Sequence, residues 1–291
     1  MPPQSASVTR CLELDLGVGE SPVWDDRTGR LVFIDILAPA IFRYDPESGA
    51  VERWDMPETI GSCGLCADGR IVAALRSGVF LFDPESGALD LLARPEPDRP
   101  GNRLNDGKVG PDGAFWIGSM DDTADKGPNA ALYRVTADGA VTKVVEGLTV
   151  SNGLAWSADG RRMFHSDSRQ TVVWIWDFDP ATGAATNRRE IRRLPEADGR
   201  PDGAAGDAEG CYWSAGVSAG CLNRLAQDGT LLQRVDVPIL APTMPCFAGP
   251  DLKTVYLTSL TTRRGDRAEA GGLYRLDGDL GIAGAPVARF G

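Results

Sequence analysis

Two kinds of hydrophobic–polar pattern alternate along the chain. The first is a strand, a turn carrying an acidic residue, and a second strand. It appears as SPVWDDRTGRLVFIDI from Ser21, LCADGRIVAAL from Leu65 and VGPDGAFWIGSM from Val109, then as LAWSADGRRMFHSDS from Leu154, AAGDAEGCYWSAG from Ala204 and FAGPDLKTVYLTSL from Phe247. The second is an alternating strand, a Gly-containing turn and another strand, which is the pattern of a hairpin. It follows each copy of the first, from FRYDPESGAVERW at Phe42 and FLFDPESGALDLL at Phe80 to LYRLDGDLGIAGAPV at Leu273. The turn acids Asp26, Asp68, Asp112, Asp159, Glu209 and Asp251 are separated by 42, 44, 47, 50 and 42 residues. A period in the forties, with two hairpins per period, fits one four-stranded propeller blade. Six copies predict an all-β, six-bladed β-propeller that takes up residues 1–291 as one domain. The segment from Val8 to Leu14 is expected to complete the last blade and close the ring, which removes an exposed edge. Trp116 and Trp213 both stand four residues after their turn acid, and Trp24 matches Trp156 in the first strand; these aromatics are expected to pack between blades.

Composition agrees with this picture and excludes several others. Gly (35) and Pro (20) are frequent in the 291 residues, and no long amphipathic helix is apparent. The net charge of −11 argues against nucleic acid, and the run Arg188 to Arg193 reads as a solvated strand edge. No stretch is apolar enough to span a membrane. Met1 to Arg10 lacks a charged segment followed by an apolar one, so a cytoplasmic location is expected. Cys63 and Cys66 form a lone CxxC with no second pair, and the six cysteines read as free thiols, mostly buried. The oligomeric state leaves no mark.

The first strand of each propeller blade lines the central channel. Counting seven residues back from the turn acid gives Asn105, Asn152 and Asp202 in blades three, four and five. Glu20 takes the same place in blade one when its longer turn is allowed for, with Gly61 and Met244 in blades two and six. Two carboxylates and two amides at one level of a channel repel and lose hydration unless something compensates them. A divalent cation would do so, with Ca²⁺, Mg²⁺ or Mn²⁺ suited to oxygen ligands and Zn²⁺ or Fe²⁺ tolerated. A hydrogen-bonded water channel without metal is the alternative. The one histidine, His165, rules out a multi-His zinc site, and its place in the second strand of blade four is that of a buried strand residue with a satisfied ring.

Five segments in order, GVGESPVWD, RLNDGKVGPDGAFWIGSM, SNGLAWSADG, RPDGAAGDAEGCYW and PCFAGPDLKTVYLTS, resemble the regucalcin (senescence marker protein), gluconolactonase and luciferin-regenerating enzyme family over roughly residues 12–288. The resemblance implies a six-bladed propeller with one divalent metal on its axis. It implies Glu20, Asn152 and Asp202 as metal ligands, with Asp202 also the general base. It places Asn105 near metal and substrate and Arg103 on substrate oxygens. Relatives often carry an acidic residue after the GSM-like motif; Asp121 is the candidate substrate contact here, with Asp122 the open alternative. The implied activity is metal-dependent opening of a sugar lactone to the aldonic acid. A metal-binding regulatory propeller without turnover, and an esterase or phosphotriesterase using the same centre, remain as other readings. The long segments Asp121 to Asn129 and Thr261 to Gly271 are expected at the mouth that holds the metal.

Overall fold

A computed structural model describes residues 4–291. Six four-stranded antiparallel sheets stand around a central channel. Their innermost strands are Gly19–Asp25, Ile60–Leu65, Asn102–Val109, Ser151–Trp156, Pro201–Gly206 and Pro242–Ala248. In blades one to five, and over the first three strands of blade six, the chain runs from the channel outward, so every innermost strand starts at the same mouth.

The second strand of a blade is buried on both faces, because each face meets a neighbouring blade. In Arg30–Asp35, Leu31 and Phe33 join the cluster containing Phe42, Tyr256 and Leu273. Val32 and Ile34 join the cluster containing Ile60, Ile71 and Leu75. A residue period of two thus divides one strand between two interfaces. Outer strands such as Val51–Asp55 are largely exposed. The expected aromatic packing is present: Trp116 of blade three lies edge-on to Trp156 and Phe178 of blade four, with centroids 6.1 and 5.4 Å apart.

Closure of the ring follows the expectation, with shorter pairing. Val8–Arg10 pairs with Leu273–Leu276 as the fourth strand of blade six. Gln4–Ser5 adds a fifth, parallel strand to blade five. The chain after Leu276 therefore does not turn back as a hairpin strand, because the N-terminal segment already holds that edge. It crosses the far mouth of the channel instead. Ala285 N donates to Gly206 O (2.9 Å), Phe290 N to Leu65 O (2.8 Å) and Gly291 N to Gly113 O (3.1 Å).

Two further details concern single side chains. Blade five is braced by Asp207, two residues before its turn acid Glu209. Asp207 accepts from Trp213 Nε1 (3.0 Å) and Arg224 Nε (2.7 Å), as Asp112 accepts from Trp116 (3.1 Å) and Arg134 (2.7 Å) in blade three. The His165 ring is only half satisfied: Nε2 meets Ser151 Oγ at 2.8 Å, while Nδ1 is buried without a partner.

Candidate functional site

Every innermost strand carries one extra residue relative to its neighbour, near its start. The register slips between Glu20 and Val23, Ile60 and Ser62, Leu104 and Gly107, Asn152 and Ala155, Pro201 and Ala204, and Pro242 and Met244. Such a bulge re-aims side chains that strict alternation would send elsewhere. Backbone strain accompanies it: Ser21 adopts φ +52°, and Gly153, its counterpart after Asn152, φ +63°. A Cβ at Gly153 would collide with the Tyr212 hydroxyl and Ser166, so this bulge requires glycine. At Gly61 a Cβ would run into the Leu104 and Asn105 carbonyls, so blade two can approach blade three only without a side chain.

At the mouth where these strands begin lies a pocket of about 390 Å³. Glu20, Asn105, Asn152 and Asp202 all line it, from blades one, three, four and five, with Gly61 on the blade-two side. Met244 departs from the counted level: it lines the cavity at the opposite mouth, and Leu260 forms the blade-six wall here. The amides are held in fixed orientation. Asn152 Nδ2 donates to Ser168 Oγ (2.7 Å), and Ser168 Oγ donates to Pro201 O (2.5 Å) beside Asp202. Asn105 Nδ2 donates to Ser151 O (2.9 Å) and lies 3.3 Å from Asn152 Oδ1, while its own Oδ1 accepts from Arg103 (2.9 Å).

Asp106 is the residue that counting missed. The bulge admits two consecutive side chains, so Asp106 enters the pocket beside Asn105. Its Oδ2 accepts from Leu154 N (3.1 Å), and its buried Oδ1 has no partner. The acidic residue following Asn105 was the available signal. Burial first, then the Asp202 and Asp106 charges, pushes Glu20 well above the usual carboxylate range. Burial and then Asp106 raise Asp202 as well. Burial likewise depresses Lys108, whose Nζ donates to Ala204 O (2.6 Å) between the two mouths.

Among the described residues no three His, Cys, Asp or Glu side chains gather as a metal cluster. The set here is mixed, carboxylates with amide oxygens. Three acids crowded together, one with an orphaned buried oxygen, are groups that a hard divalent cation would relieve, and all-oxygen donors suit such an ion. The residues present therefore fit the group.

Asp121 is turned away from the pocket. Its carboxylate accepts from Thr123 N (2.9 Å), Gly127 N (2.8 Å) and Asn129 Nδ2 (3.1 Å), and these bonds, Thr123 first, hold it below the usual carboxylate range. It organises its own loop, which presents Lys126 to the pocket. Asp122 pairs with Arg76 (2.7 Å) and approaches Arg103 Nε at 3.7 Å. The second long segment forms a hairpin, Thr262–Arg264 with Arg267–Glu269. Arg264 there donates to Val217 O (2.8 Å), on the pocket wall. Arg103 lines the pocket as expected, joined by Arg169 and Arg200, which counting did not single out. All six cysteines are free, and burial pushes Cys63 up to about 12.

The model of the SMP-30/Gluconolactonase/LRE-like region matches residues 18–261. The chain belongs to this family. It is 35% identical over 285 residues to regucalcin of Xenopus laevis, covering 94% of this chain and 95% of the relative. It is 38% identical over 248 residues to 6-deoxy-6-sulfogluconolactonase of Pseudomonas putida, covering 85% and 84%. Among solved structures, the calcium-binding protein regucalcin from Agrobacterium tumefaciens superposes with a TM-score of 0.91 at 28% identity, over 99% of both chains. A luciferin-regenerating enzyme gives 0.87 at 29%, over 96% of this chain and 98% of that one. No helix of the described residues is long and apolar enough to cross a membrane.

Proposed function

We propose that this family member hydrolyses a sugar lactone to the aldonic acid, using one divalent metal ion. The observation that carries the reading is the convergence of Glu20, Asn105, Asn152 and Asp202 from four blades on one open pocket. Family membership and the Pseudomonas putida lactonase relative support it. Glu20, Asn152 and Asp202 would hold the ion, which supplies Lewis-acid polarisation of a carbonyl when bound.

The chain's own residues account for the rest. Asp202 takes a proton from the attacking water as the water oxygen bonds to the carbonyl carbon. The ring C–O bond then breaks and the ring oxygen leaves as a hydroxyl, taking the proton that Asp202 had accepted. Arg103, anchored on Leu104 O (3.0 Å) and Asn105 Oδ1, presents its remaining N–H groups to substrate oxygens. Asn105 holds both that arginine and Asn152 in place, so the substrate meets a preset surface.

The Agrobacterium structure described as a calcium-binding protein favours a second reading, metal binding without turnover. A pH-stat assay on a panel of aldonolactones, with chelated protein and after adding back Ca²⁺, Mn²⁺, Mg²⁺ and Zn²⁺ in turn, separates the two. Acid release that disappears on chelation and returns with metal is expected. Metal uptake with no acid release from any lactone would favour the second reading. Faster turnover of aryl esters or organophosphates would move the reaction to another ester class.

A further inference from the structure

The cations of the pocket are confined to one side. Blades one and six contribute the apolar Val18, Ile36 and Leu260, while Met120, Val150 and Val217 stand among the charged groups of blades three to five. Those three blades supply four cations, Arg103, Lys126, Arg169 and Arg200. The acids lining the same pocket number three, Glu20, Asp106 and Asp202. This excess of positive charge occurs in a chain of net charge −11. Two of the cations are engaged. Arg103 is bound as described above, and Lys126 Nζ donates to Asp121 O (3.2 Å).

Arg169 and Arg200 differ. Both are exposed at the mouth, and among the described residues neither guanidinium has a carboxylate partner. Their backbones are nevertheless pinned. Arg169 N donates to Asp167 Oδ1 (2.9 Å), which also accepts from Gln170 N (3.1 Å). Arg200 N donates to Ser218 Oγ (2.8 Å), and Arg200 O accepts from Val217 N (3.1 Å). That last bond carries the ladder of blade five up to Arg200. Arg200 and Asp202, two residues on, both line the pocket. Planar guanidinium heads on pinned backbone, without a carboxylate pair of their own, suit bidentate recognition of an anion.

Resting on the lactone-hydrolase reading, we propose that the preferred substrate carries an anionic group at the end remote from its carbonyl, and that Arg169 and Arg200 bind that group. Phosphate, sulfonate and carboxylate share the required chemistry. The reacting ester sits over Asp202 with Arg103 and Asn105. The charged tail extends toward blades four and five, and the uncharged face of the ring lies against Val18, Ile36 and Leu260. A local patch of this kind also draws an anion past the repulsion of an acidic protein, so capture should weaken with salt.

The test compares kcat/KM for gluconolactone with that for its analogues bearing phosphate, sulfonate or carboxylate on the terminal carbon, in the metal-loaded protein. The parent should favour at least one charged lactone by about tenfold or more, chiefly through KM, and the three analogues identify which anion fits. In R169A/R200A the charged-to-neutral ratio should fall by about 10- to 100-fold, and R200K should keep part of it. Equal kcat/KM on neutral and charged lactones, or a parallel fall on both in the double variant, would overturn the proposal while leaving the hydrolase reading standing. Acid release from none of them would overturn both.

Discussion

The two mouths of the channel are made by opposite ends of the same six strands, yet they treat polar groups in opposite ways. At the mouth where the strands begin, three acids and four cations line an open pocket, and one buried Asp106 oxygen goes unbonded. At the other end a cavity of about 190 Å³ is walled by Pro22, Val23, Met244 and Phe247 and crossed by the C-terminal segment. There the backbone is paired: Phe290 exchanges bonds with Leu65 O (2.8 Å) and Ala67 N (2.9 Å), and Arg289 bridges Asp25 (2.6 Å). Local stability is spread unevenly in proteins, and ligand sites are drawn from its low end. One end of the channel is thus organised for chemistry and the other for closure.

The largest expected effect is at the first mouth. Asp202→Asn keeps size and a metal-competent oxygen but loses the base, so kcat on the best lactone should drop about 10²- to 10⁴-fold. The melting temperature should change little, because the far mouth is untouched. An Asp202→Asn protein that turned over lactones at the parental rate would remove Asp202 from the base role.

The next largest falls on the second mouth and should have the opposite signature. Phe290 is buried in the cluster with Val72, Phe115 and Val135, between blades two and three. Phe290→Ala should cost about 3–5 kcal/mol of unfolding free energy, read from urea denaturation, because it leaves a cavity and loosens the strap. For the protein that remains folded, kcat/KM should be unchanged. A fall in kcat/KM alongside stability would show that the mouths are coupled and would break the comparison.

What the sequence revealed of each mouth follows from the same contrast. The blades were legible because alternation, turn acids and a period in the forties are local properties of the chain. Glu20, Asn105, Asn152 and Asp202 could be placed by counting, since a repeat fixes the level of each strand's start. Asp106, Arg169 and Arg200 could not, because bulges and loops set their direction and neither has a period. Asp121 was misjudged for a related reason. The family resemblance suggested a substrate contact, but the Thr123, Gly127 and Asn129 donors that claim it come from the folded shape of its own loop. The far mouth was the least legible part: the segment after Leu276 matches a hairpin in pattern, and only the occupation of that edge by Val8–Arg10 diverts it across the channel.

The smallest expected effect concerns a residue that serves neither mouth, and it separates their behaviour in acid. His165 is fully buried in blade four, stacked on Trp174 (5.6 Å between centroids) with Ser151 Oγ on Nε2, and the Arg188 guanidinium lies 3.8 Å from the Trp174 ring centroid. Burial, then the Arg188 charge, lowers its pKa to about 3 from an unfolded value of 6.5. A depressed histidine pKa means that the unfolded chain binds the proton first. Its contribution is therefore fully present above about pH 6.5 and is lost progressively as pH falls toward 3, with a slope of at most about 1.4 kcal/mol per pH unit. Replacing it by Gln keeps a partner for Ser151 and removes the titration, so unfolding free energy in His165→Gln should be flatter with pH across that window, whatever its absolute value. The pH profile of kcat, which belongs to the carboxylates of the first mouth, should keep its shape. An unchanged slope of stability against pH would mean that His165 is not the group the acid reaches, and a shifted kcat profile would tie this buried ring to the site after all.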